Sequence, residues 1–185
     1  MAQFAMAGMI MTFRKPKNRK EICYPFIYES ALTCDYEVHT DELCSLVGMV
    51  LAQMPEGFDD VVADLEMLHP KIYHLNGSVR GKTAIFEEDL EWLHARYDYY
   101  NEASKGRISR FVLPRGPVAV MALHQCRTGA KKTVRLLHRL DESGVTFEPE
   151  LPRFANLLAN FFFVLTVYIK MKLDVEEVDF VSLSY

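Results

Sequence analysis

Residues 117–140 read PVAVMALHQCRTGAKKTVRLLHRL. Pro117 stands where a first helical turn would begin, a place where its missing N–H costs nothing. From there Arg127, Lys131 and Arg135 recur at i, i+4 and i+8, so on a helix they stack along one face. The spacing predicts a long helix over about 117–140. Three like charges in a row repel unless something anionic lies beside them, so the stripe reads either as a solvated basic face or as an anion site.

Helical patterning extends outward on both sides. Upstream, Thr40 fits an N-cap with Asp41 and Glu42 in the first turn, where the helix dipole favours acids. Leu43, Val47, Val50 and Leu51 follow at helical spacing, and Pro55-Glu-Gly57 stops the run. A second helix is expected over about Asp59–Val79, with Val62, Leu65, Ile72 and Leu75 inward and a kink or break at His69-Pro70. A third covers about Glu87–Ala103, with Leu90, Leu93 and Tyr97 on one face. Phe111-Val-Leu-Pro114 reads as a short extended piece. Downstream, the loop Asp141–Glu150 holds Gly144 and Pro149, and a fifth helix covers about Leu151–Lys172 before a tail, Leu173–Tyr185. No βαβ alternation and no repeat occur. Five helices with short connections specify an all-α fold, an antiparallel five-helix bundle. Residues 1–37 read as an irregular basic N-terminal segment and residues 38–185 as the helical domain.

Composition narrows the function classes. Of 185 residues half are hydrophobic and a quarter charged, which supports a packed core and excludes a disordered or collagen-like chain. A net charge of −4 argues against a general nucleic-acid binder. Cys23, Cys34, Cys44 and Cys126 form no C-x-x-C pair, so free thiols in a reducing compartment are expected. The opening MAQFAMAGMIMTF lacks a basic n-region and a cleavage site and does not read as a signal peptide. Ala155–Ile169, broken by Asn156, Asn160 and Thr166, reads as a core helix too short to span a membrane. A cytoplasmic protein is the expectation, without a membrane partner.

Several candidate sites follow. Gly77-Ser-Val-Arg-Gly-Lys-Thr83 fails as a phosphate-binding loop: one residue is missing between the glycine and G-K-T, and a helix rather than a strand precedes it. The six histidines show neither H-x-x-x-H nor H-E-x-x-H spacing, so no metal site is expected. Asn156 and Asn160, one turn apart in an apolar helix, need partners, because an unpaired buried amide costs about 1–3 kcal/mol. The partner is another helix or a ligand. The run Arg14–Lys20, with Lys15 and Lys17, reads as a solvated terminus or as an anion-binding arm for a polyphosphate or a neighbouring subunit.

At this point the sequence resembles the ATP:cob(I)alamin adenosyltransferases of the propanediol-utilisation type. Their F-[IV]-L-P-G-G segment, followed by L-H-x-x-R-T-x-x-R-R-x-E-R, resembles Phe111-Val-Leu-Pro-Arg-Gly116 and then Leu123-His-Gln-Cys-Arg-Thr-Gly-Ala-Lys-Lys-Thr-Val-Arg135. Their L-N-R-L-S-D-x-L-F-V-L-x-R-Y is similar to the stretch from Ala155 to Tyr168. Their G-T-x-D-E-L-N-S-x-L-G is similar to His39–Gly48, and order and separation agree across roughly residues 38–177.

The resemblance implies a five-helix homotrimer that binds a corrinoid and Mg-bound ATP between subunits and transfers the 5′-deoxyadenosyl group to reduced cobalt, releasing triphosphate. It implies that Arg127 pairs across the interface with Asp41, that Lys131 meets the ATP phosphates and that Asn156 contacts the nucleotide. Arg135 and Asn160 fall within the same matched segments. Phe111 would displace the lower axial base of cobalamin, and a corrinoid-dependent acceptor enzyme would take the product.

The resemblance has gaps. The family's glycine-rich T-G-D-x-G-T-T loop and basic S-K-x-x-P stretch have no counterpart in residues 1–37. Arg115 stands where a glycine is usual, Lys131 where an arginine is, and Val134 where a glutamate is. Two readings remain: a transferase with a divergent ATP site, or a non-catalytic corrinoid-binding sensor or carrier of the same fold.

Overall fold

A computed structural model describes residues 14–184; the reading of the apolar stretch 1–13 lies outside them. Five helices follow in order: α1 (Leu32–Gln53), α2 (Asp59–Gly77), α3 (Glu87–Ala103), α4 (Val118–Glu142) and α5 (Glu150–Lys172). The sequence placed α3 at these bounds and α2, α4 and α5 within about two residues of theirs. Among the described residues the sole β pairing is an isolated bridge, Val112 with Asp179.

The start of α1 differs from expectation. The helix begins at Leu32, and Thr40 is an interior residue, fully buried. Its hydroxyl donates to the Tyr36 carbonyl at 2.8 Å, a bond along the helix that only resembles capping chemistry. The extra turns form because distant groups satisfy their polar atoms. Tyr36 donates its hydroxyl to the Leu75 carbonyl at 2.8 Å. Glu37, 6% exposed, receives a two-pronged contact from Arg80 at 2.7 and 2.8 Å. Residues 32–37 therefore belong to the bundle.

Three smaller expectations also change. The second helix runs through Pro70 without ending there, and it turns Val61 rather than Val62 into the core. His69 beside that proline donates from Nε2 to the Cys44 carbonyl at 3.0 Å, tying α2 to α1 where the helix has lost a bond. The fifth helix, at 23 residues, is long and apolar enough to cross a membrane, contrary to the sequence reading. In its most apolar window 78% is buried inside the protein, so its apolar surface is spent on the bundle.

The packing order is α2, α1, α4, α5, α3, each helix against the next. Successive helices in the chain run antiparallel, as Tyr36 with Leu75 and Cys44 with His69 show for α1 and α2. As a result α3 and α5 lie side by side in parallel: Glu87 meets Arg153 near their starts, and Tyr100 meets Tyr168 farther on. At Gly129 the α1–α4 approach is so close that an added Cβ would come within 3.0 Å of Leu43 Cδ1. Where α2, α3 and α5 converge, Asp64 accepts from Arg96 and from the Tyr100 hydroxyl, both at 2.6 Å.

Beyond α5 the chain turns back along the bundle end. Asp174 adopts φ +55, and the Val175 N–H donates to the Lys170 carbonyl at 2.9 Å. The tail then pairs with the extended segment ahead of α4, which the sequence had placed at residues 111–114.

Candidate functional site

The basic face of α4 forms as its spacing required. Arg127 is half-buried and Lys131 and Arg135 are exposed, and none of the three makes an ion pair among the described residues. Arg127 instead lays its guanidinium over the Phe163 ring of α5, 5.0 Å from the centroid. Stacking on an aromatic face fixes the planar group and leaves its N–H edges available.

Arg127 stands between two hollows. One is a cleft of about 410 Å³ between α1 and α4, with Pro114 and Met121 at one end and His39, Glu42, His124 and Lys132 along it. The other, about 200 Å³, lies at the end of α3, where Asn160 and Phe163 of α5 face Tyr97, Asn101 and Ser104. The first combines an apolar end with the cations Arg127 and Lys132 and the single acid Glu42, and the second is edged by neutral polar groups and Lys105.

His124 is the most unusual group in the cleft. It is 9% exposed, and its Nδ1 is buried with no hydrogen-bond partner. Burial, with Arg127 and then Lys170 adding positive charge, pushes its pKa down to about 4. The imidazole is therefore neutral near pH 7. His39, across the cleft, donates from Nε2 to the Gly129 carbonyl at 2.8 Å, which fixes its ring against α4.

The remaining sequence-derived candidates are spread around this centre. Asp41 is exposed on α1 and does not meet Arg127 within the subunit; it accepts from the Tyr73 hydroxyl at 2.6 Å. Phe111 is 67% exposed beside the start of α4. Asn156 and Asn160 are exposed, not buried amides in search of partners. They lie on the outward stripe of α5 with Arg153, and Asn156 Nδ2 donates back to the Pro152 carbonyl at 2.8 Å. Lys15 and Lys17 are exposed, and Lys15 sits over the Tyr28 ring at 5.5 Å. That places the arm in the segment held at the end of α2, where Arg80 stacks on Phe26 and pairs with Glu29. The structure thus brings Arg127, Phe163 and Asn160 together and keeps Asp41 apart.

Sequence reasoning missed His39, His124, Lys132 and Met121 as cleft residues. One signal was available for His124: it lies one turn before Arg127 on α4 and shares its side. Among the described residues no three His, Cys, Asp or Glu side chains gather as a metal cluster. The four cysteines are free thiols, with Cys23 alone exposed. Burial raises Cys126, to about 12, and Cys44, to about 11, which makes both inert as nucleophiles near neutral pH.

Comparison with known proteins agrees with this architecture. The family described as cobalamin adenosyltransferase matches residues 30–169. No curated protein matches the sequence. Among solved structures, a phenylalanine-to-alanine variant of a PduO-type ATP:corrinoid adenosyltransferase from Lactobacillus reuteri, complexed with cobalamin and ATP, superposes with a TM-score of 0.76 at 19% identity, covering 84% of this chain and 89% of that one. A phenylalanine-to-histidine variant with the same ligands gives 0.75 at 19%, covering 83% and 86%. An arginine-to-lysine variant complexed with ATP gives 0.74 at 20%, covering 83% and 90%.

Proposed function

Because the chain belongs to the cobalamin adenosyltransferase family, we propose that it transfers the 5′-deoxyadenosyl group of ATP to the cobalt of a reduced corrinoid. The electron pair of Co(I) forms the bond to C5′, the C5′–O bond breaks, and the triphosphate leaves with that bonding pair. Both corrinoid and ATP are substrates, and Mg arrives on the nucleotide phosphates.

The observation that carries this reading is the cleft at Arg127. Its apolar end at Pro114 and Met121 continues into the cations Arg127 and Lys132. A flat apolar macrocycle and a polyanion need those two characters side by side. Arg127, Lys131 and Arg135 then face the triphosphate, whose charge grows as the bond breaks, and fixed cations stabilise it most where water is excluded. Asn156 and Asn160 present open amide edges to the nucleotide, and Lys15 and Lys17 supply part of the phosphate clamp that the absent glycine-rich loop would otherwise provide. Phe111 presents an apolar face to cobalt and disfavours a coordinated water or base there. The neutral His124 adds no positive charge at the cobalt end. Active sites lie between subunits of a homotrimer, completed by Asp41 of a second copy, in a cytoplasmic enzyme that hands its product to a corrinoid-dependent acceptor.

The test is direct. The protein incubated with Mg-ATP and chemically reduced cobalamin should form adenosylcobalamin and triphosphate in equal amounts. Cobalamin binding without product would instead identify a corrinoid sensor or carrier, and failure to bind either substrate would overturn the reading altogether.

A further inference from the structure

Phe111 is largely exposed and belongs to no helix, yet its backbone is firmly held. Its carbonyl accepts from the Phe180 N–H at 2.8 Å, and the neighbouring Leu113 N–H donates to the Val178 carbonyl at 2.7 Å. Val112 and Asp179 face each other between these bonds, and Asp179 also pairs with Arg110 at 3.2 Å. Every one of these partners is on the C-terminal tail, which has no secondary structure of its own. Whatever fixes the tail therefore fixes Phe111.

The tail is anchored by an ion pair to a buried lysine. Lys170, 2% exposed in the last turn of α5, donates from Nζ to Glu177 Oε2 at 2.6 Å. The Lys170 carbonyl accepts from Val175, and Arg107 donates to the Val175 carbonyl at 3.4 Å, so the turn between the paired residues is held as well. Lys170 also lies under the far end of the Phe111 segment. A Cβ at Gly116, whose φ is +153, would come 3.6 Å from Lys170 Cδ and 3.0 Å from Val120 Cγ1. The Lys170 side chain thus lies beside one end of residues 111–116 and, through Glu177, anchors the tail that pairs with the other.

Apolar contact would hold a tail at least as well as a buried ion pair, since desolvation offsets most of the Coulomb attraction. What the pair adds is register. A slip of one residue in the tail would turn the Phe180 and Val178 backbone groups away from Phe111 and Leu113, and it would leave the Lys170 ammonium buried without its carboxylate.

We propose that Lys170 and Glu177 are positioning residues for Phe111: their pair sets the register of the tail and, through two main-chain bonds, the placement of the Phe111 ring against the corrinoid. The role at the corrinoid rests on the function proposed above, whereas the clamp itself does not.

Glu177→Gln tests both parts. The variant keeps the side-chain shape and removes the charge. Amide hydrogen exchange at Leu113 and Phe180 should speed by about tenfold or more while amides in the middle of α4 and α5 keep their parent rates. In adenosyl transfer kcat should fall by about tenfold with the KM for ATP unchanged, because a misplaced group near the reacting centre costs turnover rather than nucleotide binding. Phe180→Pro, which deletes one main-chain donor in the exposed tail, should lower kcat in the same way and stands in if Glu177→Gln does not fold. Unchanged exchange at Leu113 and Phe180, or faster exchange with kcat intact, would overturn the proposal. Exchange needs no substrate, so a parent protein that makes no adenosylcobalamin counts against the proposed reaction alone while the clamp is still read.

Discussion

His124 and Lys131 carry the predictions that belong to single residues. His124 has a folded pKa of about 4 against an ordinary value of 6.5. Above pH 6.5 both folded and unfolded chains hold it neutral. As pH falls through 6.5 the unfolded chain takes up a proton that the folded one refuses until about pH 4, so stability declines across that window by up to about 1.4 kcal/mol per pH unit. His124→Phe removes the group that titrates, and its urea-unfolding free energy should fall less between pH 7 and pH 5 than the parent's, by about 2 kcal/mol. Parallel losses in parent and variant would show that this imidazole is not the cause. Lys131 is exposed and makes no ion pair among the described residues. An ammonium there is a point charge, and a guanidinium would add a planar fork matched to phosphate. Lys131→Arg should therefore tighten ATP binding by about three- to tenfold in calorimetry, and an unchanged Kd would place the phosphates elsewhere.

At the scale of elements, local chemistry decided which readings were right. The sequence located α2 to α5 because Pro55-Glu-Gly57, Pro117 and Pro149 punctuate the chain beside their ends, and the apolar spacing between them is regular. The start of α1 was not legible. Ala31 offers no capping side chain, while Thr40 followed by two acids imitates a helix start. What converts residues 32–39 to helix is the Leu75 carbonyl and the Arg80 guanidinium, both far away in the chain. The amides of α5 were misread for a related reason: Asn156 and Asn160 share the outward stripe with Arg153, and an apolar average over the helix hides a polar line one residue wide. Arg80 tests the tertiary origin of the α1 extension. Arg80→Met removes the guanidinium from Glu37, 6% exposed, at a cost of about 3 kcal/mol. Urea unfolding should shift accordingly, and amide protection should drop at residues 34–38 before it drops at 43–50. Equal stability in the variant would mean that α1 holds its first turns unaided.

At the scale of the whole molecule, the net charge of −4 conceals two patches of opposite sign on neighbouring helices. Asp41 and Glu42 are exposed on α1, and Lys131, Lys132 and Arg135 are exposed on α4, which packs directly against α1. In the proposed homotrimer the acidic patch of one copy meets the basic patch of the next. Such a head-to-tail contact closes into a ring when the rotation divides the circle, and a trimer is the smallest such ring. The intersubunit pairing proposed for Asp41 and Arg127 comes from the resemblance alone. Within one chain Asp41 rests on Tyr73, and Arg127 on Phe163, so neither carries a mark of the proposed pairing. Exchanging the charges separates this pairing from a merely local role for each residue. Asp41→Arg alone and Arg127→Asp alone each set like charges face to face across the interface and should yield monomers without turnover. Combined in one chain they restore opposite charges and should recover the trimer in sedimentation, though with lower activity, because the Arg127 guanidinium would no longer stand over Phe163 beside the cleft. Monomers in the double variant would break the pairing, and trimers in both single variants would show that the interface is held by other contacts.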